Sequence, residues 1–164
     1  MKQKPQLPII GWREWVSLPE LGIEKIKAKI DTGARSCAIH AFDIETFNQE
    51  GKHLVRFKVH PYQRDSIQTV STVSPLVDAR QVRNSGGHAE VRLVILTPLE
   101  ILGYQWPIEL TLTNRDVMGF RMLLGRQALR RRFLVDPGKS FLLRDFHKKS
   151  FPLEVWQNCK NPPF

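Results

Sequence analysis

The run Ile26-Lys27-Ala28-Lys29-Ile30 alternates apolar and charged residues and stops at Asp31-Thr32-Gly33-Ala34. Strict alternation sends successive side chains to opposite faces of an extended backbone, the pattern of a half-buried strand. Asp and Gly are turn formers, so this strand delivers a carboxylate at its end on a tight loop. Gly33 tolerates a positive φ, and the Thr32 hydroxyl is able to hydrogen-bond across to a neighbouring copy of the loop. Cys37-Ala38-Ile39-His40-Ala41 reads as the next strand, so the loop is held between two strands.

The same reading extends along the chain. Trp12 to Leu18 and Gly22 to Ile30 flank Pro19-Glu20-Leu21, where proline presets φ at a turn, and predict a first hairpin. Val55 to Val59, Val91 to Leu96 and Trp106 to Leu112 predict further strands, as do Phe133 to Val135 and Phe141 to Leu143 around the turn Asp136-Pro137-Gly138-Lys139. Met122-Leu123-Leu124-Gly125-Arg126 is an apolar run closed by Gly-Arg, and a helical stretch from Gln127 to Arg132 follows it. The segment from His60 to Gln81 is polar and interrupted by Pro61 and Pro75, which reads as a long connection. Many short strands and one short helix indicate an all-β chain with a closed or sandwiched antiparallel sheet.

A length of 164 residues fits one domain, read as 10–146 between an N-terminal extension 1–9 and a C-terminal tail 147–164. No apolar run approaches a membrane span and the polar N-terminus opens no signal-peptide core, so neither a membrane nor export is expected. Two cysteines, Cys37 and Cys159, give no disulfide framework, which points to a reduced, cytoplasmic protein. Lys and Arg exceed Asp and Glu by a formal +9, with Arg126, Arg130, Arg131 and Arg132 clustered on the short helix. Such a surface attracts polyanions, but no nucleic-acid-binding motif is present, so nucleic acid is disfavoured as a partner.

The order strand, Asp-Thr-Gly-Ala, strand, then an apolar run with Gly-Arg and a helix resembles the retroviral-type, or retropepsin-like, aspartic proteases. Three flanking stretches sharpen the likeness: Ile10 to Gly22 (Ile-Gly-Trp-Arg-Glu-Trp-Val-Ser-Leu-Pro-Glu-Leu-Gly), Lys27 to Ser36, and Arg83 to Glu90. With them the chain, from Ile10 to Leu143, is similar to a bacterial retropepsin-like family long labelled an ATP-dependent zinc protease. The resemblance implies a closed antiparallel acid-protease barrel with one short helix, acting as an aspartic endopeptidase. Asp31 would be its catalytic base and acid, Thr32, Gly33 and Ala34 its loop, and Gly125 and Arg126 the support. Retroviral enzymes pair that arginine with a carboxylate just after Asp-Thr-Gly-Ala, where this chain has Arg35 and Ser36. Arg126 therefore finds another carboxylate, has its pairing rewired, or is a solvated first-turn helix residue. Association of the family with glutamate-ligating ATP-grasp enzymes implies a peptide or protein substrate that is acidic or glutamylated.

Aspartic peptidases use two carboxylates sharing one proton. Asp43, Asp65, Asp78, Asp116, Asp136 and Asp145 all lack a following Thr/Ser-Gly, so a second copy of the chain has to supply the second carboxylate. A homodimer is expected. A cover over the dyad has its candidate flap in Ser85, Gly86, Gly87 and His88, which fit an ordinary hairpin tip equally well; the 60–81 connection is the other lid candidate. No metal and no cofactor are expected, because the chain lacks His-Glu-x-x-His, Cys-x-x-Cys and a phosphate loop. Only a three-dimensional assembly such as Cys37, His40 and His88 would hold zinc. The alternatives are a non-catalytic peptide-binding module on the same fold and the metallopeptidase of the family label.

Overall fold

The computed structural model describes residues 7–62, 64–83, 86–114 and 119–143. Strands dominate: β1 (Ile9–Gly11), β2 (Arg13–Leu18), β3 (Ile23–Asp31), β4 (Cys37–His40), β5 (Phe42–Gln49), β6 (Lys52–Val59), β7 (Val70–Arg83), β8 (Ala89–Ile101), β9 (Tyr104–Thr113), β10 (Met122–Gly125) and β11 (Leu134–Asp136). One helix, α1 (Arg126–Leu129), and a 3-10 turn at Pro19–Leu21 complete the described elements. In β3, Ile26, Ala28 and Ile30 are buried while Lys25, Lys27, Lys29 and Asp31 take the other face, as the two-residue period requires. The expected hairpin of β2 and β3 forms, and its turn closes with Gly22 at φ +71 donating its N–H to the Pro19 carbonyl at 3.1 Å. Leu18, Ile26, Ile39, Ile95, Leu99, Leu110 and Leu124, each fully buried, mark a single core under the sheet.

The main sheet runs in the order β2-β3-β10-β4-β9-β8-β7-β6-β5, and β2 also meets β8 at Ser17 and Glu100. It is mixed rather than purely antiparallel, which corrects the sequence expectation. β3 and β4 are consecutive yet not neighbours, because β10 runs between them, parallel to β3 and antiparallel to β4. β4 is likewise parallel to β9, and β1 to β11. These parallel pairs join segments far apart in sequence, as parallel strands require.

Three further expectations are corrected. The supposed connection from His60 to Gln81 contains most of β7, a long strand that changes partner midway. Val70 to Pro75 pair with β6, and Leu76 to Arg83 pair with β8. Pro75, which has no N–H to give, is the last residue paired to β6 before the changeover, so its missing donor disrupts no ladder. Phe141 to Leu143 form no strand: Phe141 has φ +56, and the Leu142 and Leu143 N–H groups donate to the Glu14 carboxylate instead of to a neighbouring strand. The helix spans Arg126 to Leu129 only, and the arginine cluster divides: Arg130 and Arg131 are exposed, whereas Arg132 is buried with its guanidinium 4.8 Å from the centre of the Trp106 ring.

The Ile10-Gly11-Trp12-Arg13-Glu14 stretch has a structural explanation. A Cβ on Gly11 would stand 2.3 Å from the Lys139 carbonyl oxygen, so only glycine lets β1 pass the segment after β11. Glu14, 1 % exposed, accepts the Gly11 N–H at 2.8 Å and the Leu142 N–H at 2.9 Å. A buried carboxylate is tolerable when backbone donors surround it, and this one ties the two ends of the described fold together. The calls on the tail 147–164, on Cys159 and on Ser85 lie outside the described residues.

Candidate active site

Asp31 closes β3 in register with Gly125 of β10, and the loop 32–36 leads from it into β4. The carboxylate is half-buried and folds back on its own loop: Oδ1 accepts the Gly33 N–H and the Ala34 N–H, each at 3.0 Å. Two backbone donors on one oxygen fix the side-chain rotamer and leave Oδ2 without a hydrogen bond among the described residues. Gly33 does not use a positive φ, contrary to expectation. Its lack of a side chain serves the carboxylate, since a Cβ there would lie 3.3 Å from Asp31 Oδ1. Thr32 is exposed at the crest of the loop.

Gly125 packs directly beneath. A Cβ on it would sit 2.4 Å from the Ser36 carbonyl oxygen and 2.8 Å from that of Arg35, both backbone atoms with no freedom to yield. The first N–H groups of α1 then take up the loop's carbonyls, Arg126 N–H to Ala34 at 2.8 Å and Gln127 N–H to Arg35 at 3.1 Å. Arg126 is exposed, yet its Nη1 donates to the Gly33 carbonyl at 3.0 Å. Among the described residues the Arg126 side chain bonds a loop carbonyl in place of a carboxylate, a rewired contact.

Beside the loop stands a group that the sequence did not reveal. Arg80 of β7 makes a paired contact with Glu109 of β9, Nη1 to Oε2 at 2.7 Å and Nη2 to Oε1 at 3.0 Å, and its Nε reaches Asp78 at 2.7 Å. The bonded Arg80 guanidinium holds the Glu109 carboxyl below its ordinary range, and Arg35 of the loop contributes to the same lowering. Asp78 is lowered by Arg80 in the same way. These contacts tie the β7–β8 hairpin to the strand beside the Asp31 loop. No periodicity or motif announces them, because a diagonal contact between strands β7 and β9 has no sequence spacing.

That hairpin carries the candidate flap. Arg83 pairs with Ala89, and between them Gly86, Gly87 and His88 are exposed, with Gly87 at φ +80 in the turn. The competing lid, 60–81, is displaced by β7. Among the described residues no three His, Cys, Asp or Glu side chains gather closely enough to hold a metal ion, so Cys37, His40 and His88 form no such group. Burial pushes the Cys37 thiol up to about 11 against the opposing effect of the Gly125 backbone hydrogen bond, leaving it protonated and inert at neutral pH.

Residues 9–145 match the family described as retropepsin-like aspartic endopeptidase RimB. The chain belongs to that family. The RimB-like match takes in the Asp31 loop, β10 and α1, and so covers every element of the site above. Curated relatives share about half their aligned residues with it. A Desulfotalea psychrophila protein named "Probable alpha-L-glutamate ligase" is 47% identical over 150 residues, 92% of this chain and 32% of that protein. Proteins of the same name from Shewanella halifaxensis and Parasynechococcus marenigrum are 46% and 47% identical over 82% and 85% of this chain, and 30% of each relative. The RimB-like chain thus spans about a third of the length of the curated relatives it matches. A crystal structure of a Legionella pneumophila protein of unknown function superposes with a TM-score of 0.69 at 27% identity, covering 83% of this chain and 98% of that one. Among the described residues no helix is long and apolar enough to cross a membrane.

Proposed function

We propose that this chain is an aspartic endopeptidase whose dyad consists of Asp31 and the Asp31 of a second copy. The observation that carries the reading is the bracing of a strand-end aspartate from below by Gly125 and from the side by Arg126, with one carboxylate oxygen left uncommitted. In the reaction one carboxylate accepts a proton from water as its oxygen attacks the scissile carbonyl carbon, while the protonated twin gives its proton to the carbonyl oxygen. Collapse of the tetrahedral carbon breaks the C–N bond, the departing nitrogen taking the proton held by the first carboxyl while one hydroxyl on that carbon returns its proton to the twin as the C=O re-forms. The β2 contact with β8 supports reading the sheet as a closed barrel, and the Gly86-Gly87-His88 tip is the natural cover. An acidic or glutamylated peptide is the favoured substrate, since the matched region recurs inside proteins named glutamate ligases and Arg35, Lys29 and Arg126 lie near Asp31 in the chain or the fold. The buried, protonated Cys37 suits a reduced, cytoplasmic setting.

The second reading is a peptide-binding module without catalysis. What favours it is that the ligase-named relatives are about three times the length of the matched region, so the domain has a place as an accessory to another activity. Asp31→Asn separates the two. Asparagine keeps an Oδ1 acceptor for the Gly33 and Ala34 N–H groups, so the fold should persist, while hydrolysis of an acidic peptide should fall by about 10²–10⁴-fold. Activity of the parent should also decline on dilution below the dimer dissociation constant and follow a bell-shaped pH profile. A variant that cleaves as fast as the parent overturns the peptidase reading; equal peptide binding with no cleavage by either protein establishes the module.

A further inference from the structure

Arg35 follows the Asp31-Thr32-Gly33-Ala34 loop directly, and its side chain is the cation there that the described residues leave unengaged. Its backbone is fixed. The Gln127 N–H holds the Arg35 carbonyl at 3.1 Å, and a Cβ on Gly125, the residue in register with Asp31, would stand 2.8 Å from that same carbonyl oxygen. The side chain is exposed and makes no hydrogen bond or ion pair among the described residues. It lies close enough to Glu109 to lower that carboxyl, but both Glu109 oxygens are already bonded to Arg80, whose Nε goes to Asp78. Arg126, the other arginine at the loop, is committed to the Gly33 carbonyl. A rigid backbone carrying a free guanidinium beside the reacting carboxylate is arranged to meet an incoming carboxylate with little left to order.

We infer that Arg35 is the specificity-determining residue of this site, its guanidinium taking the side-chain carboxylate of a substrate Glu or Asp close to the scissile bond. The inference rests on the peptidase reading above and extends it in one respect. A dyad made from two copies is isologous, so the same rotation that supplies the second Asp31 sets the second copy's Arg35 on the opposite side of the bond. The substrate is then acidic on both sides of the cleaved bond rather than on one side alone. Arginine suits the task better than lysine, because its planar fork meets a carboxylate with two parallel N–H donors. Charge balance is the competing role: two carboxylates, Asp78 and Glu109, surround the single cation Arg80, and Arg35 offsets the excess. A residue with that role alone would affect stability and leave the ranking of substrates untouched.

The test uses the full chain and four blocked peptides with a Glu pair on each side of a central bond, or with the first pair, the second pair or both changed to Gln. Cleavage at the central bond is located by mass spectrometry. For the parent, kcat/KM there should fall about tenfold for either pair replaced and about a hundredfold for both. Arg35→Gln, its fold checked by circular dichroism, should cleave all four alike, and Arg35→Lys should keep a reduced preference for Glu. Arg130→Gln/Arg131→Gln removes two exposed charges elsewhere and should keep the parent's ranking. In parallel, anisotropy of the labelled all-Glu peptide is read on Asp31→Asn with and without Arg35→Gln. Cleavage that ignores Glu, a preference that survives in Arg35→Gln, or one lost equally in Arg130→Gln/Arg131→Gln overturns the inference and leaves the peptidase reading standing. No cleavage, with peptide binding that still depends on Arg35, sinks the peptidase reading and upholds Arg35 as the carboxylate reader. Neither cleavage nor Arg35-dependent binding overturns both.

Discussion

The Arg126 guanidinium donates to the carbonyl of Gly33 at 3.0 Å, joining the first residue of the helix to the loop that carries Asp31. The same residue's backbone N–H binds Ala34, so the loop is gripped at adjacent carbonyls by one amino acid. Arg126→Ala should barely alter stability, by less than about 1 kcal/mol for an exposed bond, yet should lower kcat with little change in KM. Arg126→Lys should recover only part of the loss, because an ammonium lacks the guanidinium's reach and planarity. Steady-state kinetics alongside urea titration measure both effects; unchanged kcat in the alanine variant would show the contact to be incidental.

Gly125→Ala tests close packing under the loop. A methyl 2.4 Å from the Ser36 carbonyl has backbone on the far side, so either β10 or the loop has to shift. The expected cost is about 2 kcal/mol or more, together with loss of activity. Gly103→Ala is the control: nothing lies within 4 Å of its Cβ position, and only its φ of +79 is strained, for about 1 kcal/mol. Denaturant midpoints of the two variants should differ accordingly.

Glu14→Ala strips the acceptor from the N–H groups of Gly11, Leu142 and Leu143, of which those of Gly11 and Leu143 are buried. A loss of about 3 kcal/mol or more follows from orphaned donors. Glu14→Gln, which keeps one carbonyl oxygen, should lose less. Equal stability of the two variants, read by urea unfolding, would refute this account of the motif.

The Arg80–Glu109 contact makes a pH-dependent contribution with a definite sign. Glu109 titrates below its ordinary 4.5 in the folded chain, so the stabilisation is complete above that value and is lost as pH falls through the lowered one. A double-mutant cycle with Arg80→Ala and Glu109→Ala should give a coupling of up to about 1 kcal/mol at pH 7 that declines as the pH is taken down through the lowered Glu109 pKa.

The strand leading to Asp31 was legible because its burial alternates with its sequence, Ile26, Ala28 and Ile30 in, Lys27 and Lys29 out. β7 escaped because Pro75 and scattered polar residues suggest a loop, and only the handover from β6 to β8 explains why a proline is harmless there. Phe141 to Leu143 looked like a strand because apolar residues suit one, whereas a carboxylate 128 residues earlier claims the Leu142 N–H. The Asp31 loop and Gly125 were found from local signals. The pairing of Arg80 with Glu109 depends on register and the return of the chain, for which no local signal exists.

Because β10 threads between β3 and β4, the site is assembled late. Gly33 waits for a partner 93 residues further on, so during synthesis Asp31 leaves the ribosome long before anything braces it. Contacts of such separation form slowly, and a chain cut short before Met122 would carry the aspartate with neither the Gly125 floor nor the Arg126 clamp. The topology itself therefore acts as a built-in delay, withholding the braced Asp31 loop from incomplete copies.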